Sequence, residues 1–165
     1  MTSKKGELNI VLIGFMGSGK TLVSKALSKK LKMKRFSTDE MIVKAKKASI
    51  AQIVEKKGWP YFRNLESKMI EKLSKKKNII IDCGGGVVTN TKNIKFLKSN
   101  GILFYLKASP KVIYNRIKDD KSRPLVSGPN PLARIKEILK SRIPLYKQAH
   151  HVIDASDPSI EKAAV

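Results

Sequence analysis

The sequence has little cysteine, little acid and no long apolar run, and each shortage excludes a class of protein. A single cysteine, Cys83, excludes an internal disulfide and fits the reducing cytoplasm, where we expect the protein to act. No run approaches the roughly 18 apolar residues of a membrane helix, and the start of the chain lacks a signal-peptide core, so we expect no membrane partner. Cysteine and histidine nowhere take metal-ligand spacing, and we interpret His150 and His151 as ordinary residues of an edge strand.

Acidic residues are scarce: 13 Asp and Glu stand against 35 Lys and Arg, a formal net charge of +22. Such a balance attracts nucleic acid, but the lysines are spread over every predicted helix without interleaved aromatic residues. We therefore interpret them as solvated surface and predict no specific nucleic-acid partner. Only six of the 35 basic residues are arginine. Where lysine is the common cation, an arginine indicates a need for its planar, bidentate guanidinium, which matches carboxylate and phosphate.

Strand-like and helical patterns alternate along the 165 residues, which suffice for one domain, 1–165, with its own core. The predicted strands are 8–13, 34–37, 78–82, 102–106 and 152–154. The predicted helices are 21–31, 38–45, 49–57, 59–76, 91–100, 110–118 and 132–146, the last bent or ended by Pro144, followed by a final helix from Pro158. The alternation predicts an α/β fold whose parallel sheet is covered on both faces and binds ligands at the carboxyl ends of its strands.

The segment 119–131 has no regular pattern, and with two Asp, three Pro and one Gly it predicts a mobile loop. There is no internal repeat, linker or heptad pattern, so a monomer is the default expectation.

A complete phosphate-binding loop follows the first predicted strand. Its letters, Gly-Phe-Met-Gly-Ser-Gly-Lys-Thr, occupy positions 14–21. Glycines let the backbone turn tightly and direct N–H groups at a polyphosphate, and the start of the next helix adds its dipole. We assign the triphosphate to Gly14, Gly17, Ser18, Gly19, Lys20 and Thr21. Lys20 is predicted to reach the β and γ oxygens, and the Thr21 hydroxyl to ligate the Mg²⁺ that accompanies ATP.

Four further motifs contain the remaining candidate residues. Arg63 and Glu66 lie three residues apart on one helix, so the carboxylate can orient the guanidinium. Gly84, Gly85 and Gly86 end a strand, where bare backbone can approach a ligand. The string Arg123-Pro-Leu lies in the mobile loop, and Arg142-Ile-Pro-Leu-Tyr closes the following helix. Each motif alone is weak evidence, because exposed Arg–Glu pairs are common.

Taken together and in this order, the motifs resemble shikimate kinase over roughly residues 10–154. The resemblance implies the three-layer P-loop fold of the nucleoside monophosphate kinases, with a five-stranded parallel sheet and a lid at about 119–131. It implies transfer of the γ-phosphoryl group of ATP to the 3-hydroxyl of shikimate, with Mg²⁺, in the biosynthesis of aromatic amino acids. Two arginines suit a carboxylate-bearing acceptor better than a neutral sugar.

The resemblance also implies roles for single residues. Asp39 would bind the acceptor hydroxyls and orient or deprotonate the nucleophile. Arg63 and Arg142 would hold the shikimate carboxylate, with residues 84–86 contacting substrate and γ-phosphate. Arg123 would move with the lid toward the transferred phosphate, and Arg116 would stack near adenine. Lys20, Asp39 and Arg123 are thus the predicted catalytic residues, whereas Arg35 and Arg134 receive no role.

Two positions depart from the family pattern. The family usually has Asp-x-Asp after its second strand, with the first Asp facing the water shell of Mg²⁺, but here that position is Ser37. The third strand ends in Asp82-Cys83, where the family has a small residue and then Thr. One hypothesis is that the metal-facing carboxylate has moved from position 37 to Asp82. The other is that Asp82 caps backbone N–H groups of the following loop.

Three alternatives to an active shikimate kinase stay open at this point. The chain could be another small-molecule kinase of this fold, acting on gluconate or a nucleoside monophosphate. It could be a shikimate-kinase-like nucleotide-binding protein with reduced or lost catalysis, for which Ser37 is the argument. It could also be a basic nucleic-acid-binding protein that uses ATP, which the dispersed lysines disfavour.

Overall fold

The structure is a computed structural model, and it describes residues 8–157. Its strands are β1 (Asn9–Ile13), β2 (Lys34–Ser37), β3 (Ile79–Asp82), β4 (Gly101–Lys107) and β5 (His151–Asp154). Its helices are α1 (Lys20–Leu31), α2 (Thr38–Lys46), α3 (Ile50–Lys57), α4 (Trp59–Ser74), α5 (Thr91–Ser99), α6 (Pro110–Ile117) and α7 (Pro131–Tyr146). Every strand and helix predicted within this range is present, with bounds shifted by at most two residues. The helix predicted from Pro158 lies outside the described residues.

The five strands form one parallel sheet in the order β2-β3-β1-β4-β5. Both faces of the sheet are covered, as the pattern of near-continuous apolar strands predicts. All four residues of β3 are buried. Along β1, Val11 and Ile13 belong to the main apolar cluster on one face, while the intervening Leu12 is also almost fully buried. The fold is therefore the predicted α/β arrangement.

Short polar residues begin several of the helices. The Ser49 hydroxyl accepts a hydrogen bond from the Gln52 N–H, and the Gln52 side chain accepts one from the Ser49 N–H, so α3 starts with a capping box. Ser37 caps α2 by accepting a hydrogen bond from the Glu40 N–H. This cap fixes the direction in which the chain leaves β2. Asp39 lies in the first turn of α2, so the cap also helps to place Asp39.

Pro144 does not end α7, which continues to Tyr146. Proline removes the hydrogen bond to the carbonyl group four residues earlier, here that of Lys140. Lys140 is exposed, so water can satisfy that carbonyl, and the interruption falls in the last turn of the helix.

The edge strand β5 begins at His151, which is thus a strand residue as predicted, and His150 immediately precedes it. His150 Nδ1 accepts a hydrogen bond from the Leu103 N–H at 2.9 Å, and the His151 ring stacks on Phe104. Their ring contacts are therefore structural. At the carboxyl-terminal ends of the strands, the loops after β1, β2 and β3 meet and form the site described next.

Candidate active site

The phosphate loop connects β1 to α1 in the conformation that its glycines predict. Gly17 has φ +73° and Gly19 has φ +94°, values that side chains disfavour. Gly19 is also the N-cap of α1, so its turn directs the first N–H groups of the helix toward the loop. Ser18 is buried, and its hydroxyl has no hydrogen-bond partner among the described residues. The loop thus presents backbone donors and a free hydroxyl at a helix N-terminus, the chemistry of an anion site.

Lys20 is held inside this loop. Its ammonium donates to the carbonyl groups of Gly14 and Phe15, each at 2.8 Å. Burial lowers the pKa of Lys20 from its usual 10.5, and the nearby carboxylates of Asp82 and Asp39 oppose that shift. The positive charge of Lys20 therefore lies near two acidic groups, in a site from which water is largely excluded.

Thr38, the neighbour of Asp39, links α2 to the glycine loop, residues 84–86. The Thr38 hydroxyl accepts a hydrogen bond from the Gly84 N–H at 2.9 Å. A Cβ atom at Gly84 would lie 2.6 Å from Asp39 Oδ1 and 2.6 Å from Glu66 Oε1, so only glycine admits both carboxylates. Asp39 Oδ1 is buried without a partner among the described residues, and burial raises the pKa of Asp39, opposed by Lys20. Such a group is poised to accept a hydrogen bond from a bound hydroxyl.

Arg63 and Glu66 form the predicted pair on α4. Arg63 Nη1 lies 2.8 Å from Glu66 Oε2, and the Glu66 side chain is fully buried. The guanidinium stacks over Trp59 at 5.1 Å, and it covers Gly86 so closely that any side chain there would collide with it. The pair is therefore oriented by packing, unlike an exposed salt bridge.

Arg142 approaches the same space from α7. It is 7% exposed, and its Nη1 donates to the Gly85 carbonyl at 3.3 Å. Tyr146, one turn later, donates to the same carbonyl at 2.5 Å. Burial raises the pKa of Tyr146 far above its usual value, so the phenol stays a hydrogen-bond donor. The last turn of α7 is thus fixed to the glycine loop.

These side chains line two neighbouring cavities. The first contains both candidate carboxylate-binding arginines; its lining includes Asp39, Trp59, Arg63, Glu66, Gly86, Arg123 and Arg142. The second contains the phosphate loop; its lining includes Gly17, Gly19, Lys20, Thr21, Ser37, Asp39, Asp82 and Arg123. Asp39 and Arg123 line both cavities, together with Met16 and Gly85. The two cavities therefore meet at an acid and an arginine.

Arg123 lies in the segment predicted as the lid, where its Nε donates to Asp120 Oδ2 at 2.8 Å. It is part-exposed, and its charge acts on both Lys20 and Asp39. Arg116, on α6, donates to the carbonyl groups of Gly17 and Ala155, so it lies beside the phosphate loop. Cys83 is buried, and burial, with a smaller contribution from Asp82, raises the pKa of its thiol well above its usual 9.0, so the thiol is protonated at neutral pH.

Asp82 has partners that neither sequence hypothesis included. Its Oδ2 accepts hydrogen bonds from the Ser24 hydroxyl at 2.9 Å and from Arg35 Nη2 at 2.7 Å. Both hydrogen bonds in the described part of the chain come from side chains, so Asp82 does not cap the backbone of the following loop. Arg35, for which no role was predicted, is thus a member of the site. The sequence contained two indications of this role. Arg35 is one of six arginines, and it lies two residues before Ser37 on the same face of β2.

A five-stranded parallel sheet with a phosphate loop after its first strand, and a second cavity beside that loop, defines a P-loop kinase of the nucleoside monophosphate kinase type. Within this class, the shikimate kinase family model matches residues 16–165. Shikimate kinase from Caldanaerobacter subterraneus subsp. tengcongensis is 46% identical over 156 residues, which are 94% of this chain and 91% of that protein. That from Thermodesulfovibrio yellowstonii is also 46% identical, over 94% and 90%. The chain belongs to the shikimate kinase family.

A solved structure agrees with this assignment over nearly the whole chain. The shikimate kinase from Acinetobacter baumannii, in complex with shikimate, superimposes with a TM-score of 0.91 at 35% identity, covering 95% of this chain and 88% of that one. Family membership disfavours the alternatives of a gluconate kinase, a nucleoside monophosphate kinase and a basic nucleic-acid-binding ATPase.

Proposed function

We propose that this chain transfers the γ-phosphoryl group of ATP to the 3-hydroxyl group of shikimate, giving ADP and shikimate 3-phosphate. The observation that carries the proposal is the junction of the two cavities, where Asp39 and Arg123 line both. An acceptor in the first cavity, the acceptor cavity, would meet a triphosphate in the second, the nucleotide cavity. At their junction, Asp39 would accept a hydrogen bond from the nucleophile and Arg123 would supply a cation for the transferred group. Phosphoryl transfer needs such positioning and charge stabilisation more than covalent chemistry.

On the nucleotide side, the phosphate loop and Lys20 would hold the triphosphate. Lys20 must exchange its two carbonyl partners for phosphate oxygens when ATP binds. Arg123 would turn from Asp120 to the transferred phosphate as the lid, 119–131, closes. Arg116 would stack near adenine. Closure excludes water, which would otherwise compete with the acceptor hydroxyl.

On the acceptor side, Arg63 and Arg142 would bind the carboxylate of shikimate, and Asp39 with residues 84–86 would bind its hydroxyls. Arg142 donates to Gly85, and Arg63 is held by Glu66 and the Trp59 ring. Both guanidinium groups line the acceptor cavity, so a carboxylate could accept bonds from two directions. Asp39, ionised, would orient the attacking hydroxyl and accept its proton.

Mg²⁺ fits the nucleotide cavity through Thr21 and Asp82. Both line that cavity, and Asp82 has one oxygen, Oδ1, outside its two side-chain hydrogen bonds. No three Asp, Glu, His or Cys side chains between residues 8 and 157 gather as a ligand cluster. That suits Mg²⁺, which keeps several waters and takes its remaining ligands from phosphate and one or two side chains. When bound, the ion would neutralise charge on the phosphate oxygens.

A second candidate is a nucleotide-binding protein of this family with reduced or lost catalysis. The observation in its favour is Ser37, whose hydroxyl caps α2 and so does not replace the missing carboxylate. The two candidates differ in turnover alone, because both would bind ATP and shikimate.

We further propose that the chain is one domain and acts as a monomer in the cytoplasm, without a nucleic-acid partner. The lone cysteine is an unpaired thiol, as in proteins of reducing compartments. In the part of the chain that the structure describes, no helix is long and apolar enough to cross a membrane.

The test is ADP release from ATP with shikimate, with gluconate and with no acceptor, each over a Mg²⁺ titration. Shikimate-dependent release supports the proposal. Binding of ATP and shikimate without release supports the inactive candidate, and release with gluconate contradicts both. An Arg134→Ala variant is the matched control for arginine variants, because Arg134 is exposed on α7 and forms an exposed ion pair with Glu137.

A further inference from the structure

A buried ion pair lies beside the phosphate loop, where the family pattern leads one to expect a single carboxylate. Arg35 Nη2 is 2.7 Å from Asp82 Oδ2, and the two side chains are 12% and 4% exposed. Burying an arginine and an aspartate is costly unless their remaining hydrogen-bonding capacity is used. The pair therefore depends on the hydrogen bonds that surround it.

Arg35 contacts three different elements of the fold. Besides Asp82 on β3, its Nε donates to the Ser24 hydroxyl on α1 at 2.6 Å. Its two terminal nitrogens donate to the two carboxylate oxygens of Glu40 on α2, at 3.0 and 3.1 Å. A planar guanidinium fixed at three points has one orientation, whereas a lysine could satisfy only one or two of these partners.

The network uses only one of the two carboxylate oxygens of Asp82. Ser24 and Arg35 both donate to Oδ2, so the plane of the carboxylate is fixed while neither of them binds Oδ1. Asp82 and Glu40 both line the nucleotide cavity. Two carboxylates and one guanidinium give this trio a net charge of −1, the charge that a lone aspartate would contribute.

The sheet register relates this trio to the missing aspartate. Ser37 lies directly opposite Asp82 in the parallel pairing of β2 and β3. Paired positions on neighbouring strands are about 4.8 Å apart and project to the same face. A carboxylate moved from position 37 to position 82 thus stays on the same face, one strand nearer the phosphate loop. Arg35, two residues before Ser37, projects to that face too.

We propose that Arg35 is a positioning residue that, together with Ser24, holds Asp82 with Oδ1 directed to the nucleotide cavity, where it serves the coordination shell of Mg²⁺. Glu40 orients Arg35 and restores the negative charge that Arg35 would otherwise cancel. This inference rests on the proposed function only in requiring a metal–nucleotide complex in the cavity; it does not require turnover. In this proposal, the aspartate absent at position 37 is replaced by a network of four residues, Ser24, Arg35, Glu40 and Asp82.

The test measures metal binding directly. Mn²⁺ is titrated into the enzyme–ADP complex and followed by electron paramagnetic resonance, and ADP affinity is measured with and without Mg²⁺. Arg35→Met removes the guanidinium at similar length. We expect it to weaken Mn²⁺ binding about 10-fold, the usual effect of removing a partner that orients a metal ligand. Metal-free ADP affinity should change less than metal-dependent affinity.

A double-mutant cycle shows whether Arg35 acts through Asp82. In an Asp82→Asn background, Arg35→Met should have little further effect on Mn²⁺ affinity, because the residue that it positions is gone. Equal losses in both backgrounds would overturn the proposal, as would an unchanged Mn²⁺ affinity in Arg35→Met. Should Arg35→Met not fold, Ser24→Ala keeps every charge; a weaker Mn²⁺ complex supports the proposal, and an unchanged one contradicts it.

A reversal of the proposed exchange gives an independent check. In the double variant Ser37→Asp/Asp82→Ala, which restores the arrangement usual in the family, Mn²⁺ affinity should become insensitive to Arg35→Met. A persistent loss would mean that Arg35 acts on the cavity independently of Asp82. Shikimate-dependent ADP release by the unaltered enzyme is assayed separately, so failure of the proposed function is distinguished from failure of this inference.

Discussion

The proposed acceptor cavity follows the family motifs closely, whereas the proposed metal-facing part of the nucleotide cavity departs from them. In the acceptor cavity, Arg63, Glu66 and Arg142 occupy the positions that the family motifs require, and buried contacts fix each of them. At the metal-facing side, Ser37 and Asp82 both depart from the motifs, and the charge there comes from a trio that includes Arg35.

The difference indicates that a carboxylate-binding site tolerates less rearrangement of its residues than a site for a hydrated metal ion. In the proposed function, the guanidinium groups would bind the planar carboxylate of shikimate, so they have little freedom in position. Mg²⁺ keeps several waters, so a carboxylate that acts through the water shell can approach from a neighbouring strand. Substitutions in the acceptor cavity should therefore lower activity sharply, whereas substitutions on the metal-facing side should lower it by smaller, graded amounts.

The largest effect is expected at the junction of the two cavities. Asp39→Asn should lower kcat about 1,000-fold, within the range for loss of a general base.

The same variant should change the stability of the protein. Burial raises the pKa of Asp39 above its usual 3.8, so the carboxyl group of the folded protein holds its proton more tightly than that of the unfolded chain. Ionised Asp39 therefore costs stability above that pKa, and the cost vanishes below pH 3.8. The variant should have a higher unfolding free energy at pH 7, with a smaller gain as the pH falls toward 4, measured by urea denaturation.

The pH profile of the unaltered enzyme checks the same residue. Because only ionised Asp39 can accept the proton, kcat/KM should rise with pH through the raised pKa of Asp39, so the acid limb should lie above pH 3.8. An acid limb at or below that value would contradict the proposed role.

Arg142→Ala tests the acceptor cavity and should give the next largest effect. Removing one partner of a buried charged hydrogen bond costs several kcal/mol, so kcat/KM for shikimate should fall about 100-fold, with ADP affinity nearly unchanged. Arg134→Ala on the same helix should leave both quantities unaltered. Equal losses in the two variants would show that the charge of α7 matters in general and that no specific carboxylate site exists.

Asp82→Asn tests the metal-facing side and should give a smaller, graded effect. The Mg²⁺ concentration for half-maximal turnover should rise about 10-fold, while kcat at saturating Mg²⁺ falls little. Ser37→Asp added to this variant should recover part of the loss. If Asp82→Asn leaves the Mg²⁺ dependence unchanged and Ser37→Asp does not lower it, the carboxylate has not moved.

Glu40→Gln should give the smallest effect. The hydrogen bond from Arg35 lowers the pKa of Glu40 below its usual 4.5, so the pair contributes stability above that value and loses it as the pH falls through the lowered pKa. Glu40 is 59% exposed, and exposed pairs contribute little. A change of about twofold in Mn²⁺ affinity is expected. A loss as large as that of Arg35→Met would mean that Glu40 is itself a ligand.

Much of the fold was predictable because its patterns are local. The phosphate loop, the strand and helix positions and the cap at Ser49 depend on residues close in the chain. The sequence predicted a helix as far as residue 146 but left open whether Pro144 bends or ends it. The local rule could not decide this, because the cost of proline depends on whether the carbonyl of Lys140 can reach water.

The site was predictable where a motif specified it and obscure where it did not. Arg63 with Glu66, Arg142 and Asp39 lie where the motifs predict, lining one cavity. Of the two hypotheses for Asp82, one was drawn from the family pattern at position 37 and the other from its neighbours in the chain. Its actual partners, Ser24 and Arg35, are 58 and 47 residues away. No spacing rule connects such positions.

The sequence by itself determined the phosphate loop, the alternation of strands and helices, and the types of side chain that could bind an anionic acceptor, because these follow from local backbone geometry and the chemistry of each residue. Only the tertiary structure decided that Asp39 and Arg123 lie between two cavities and that Arg35 faces Asp82. The reason is the parallel sheet: it brings the carboxyl ends of β1, β2 and β3 to one edge, so residues far apart in the chain share buried space where charges must find partners.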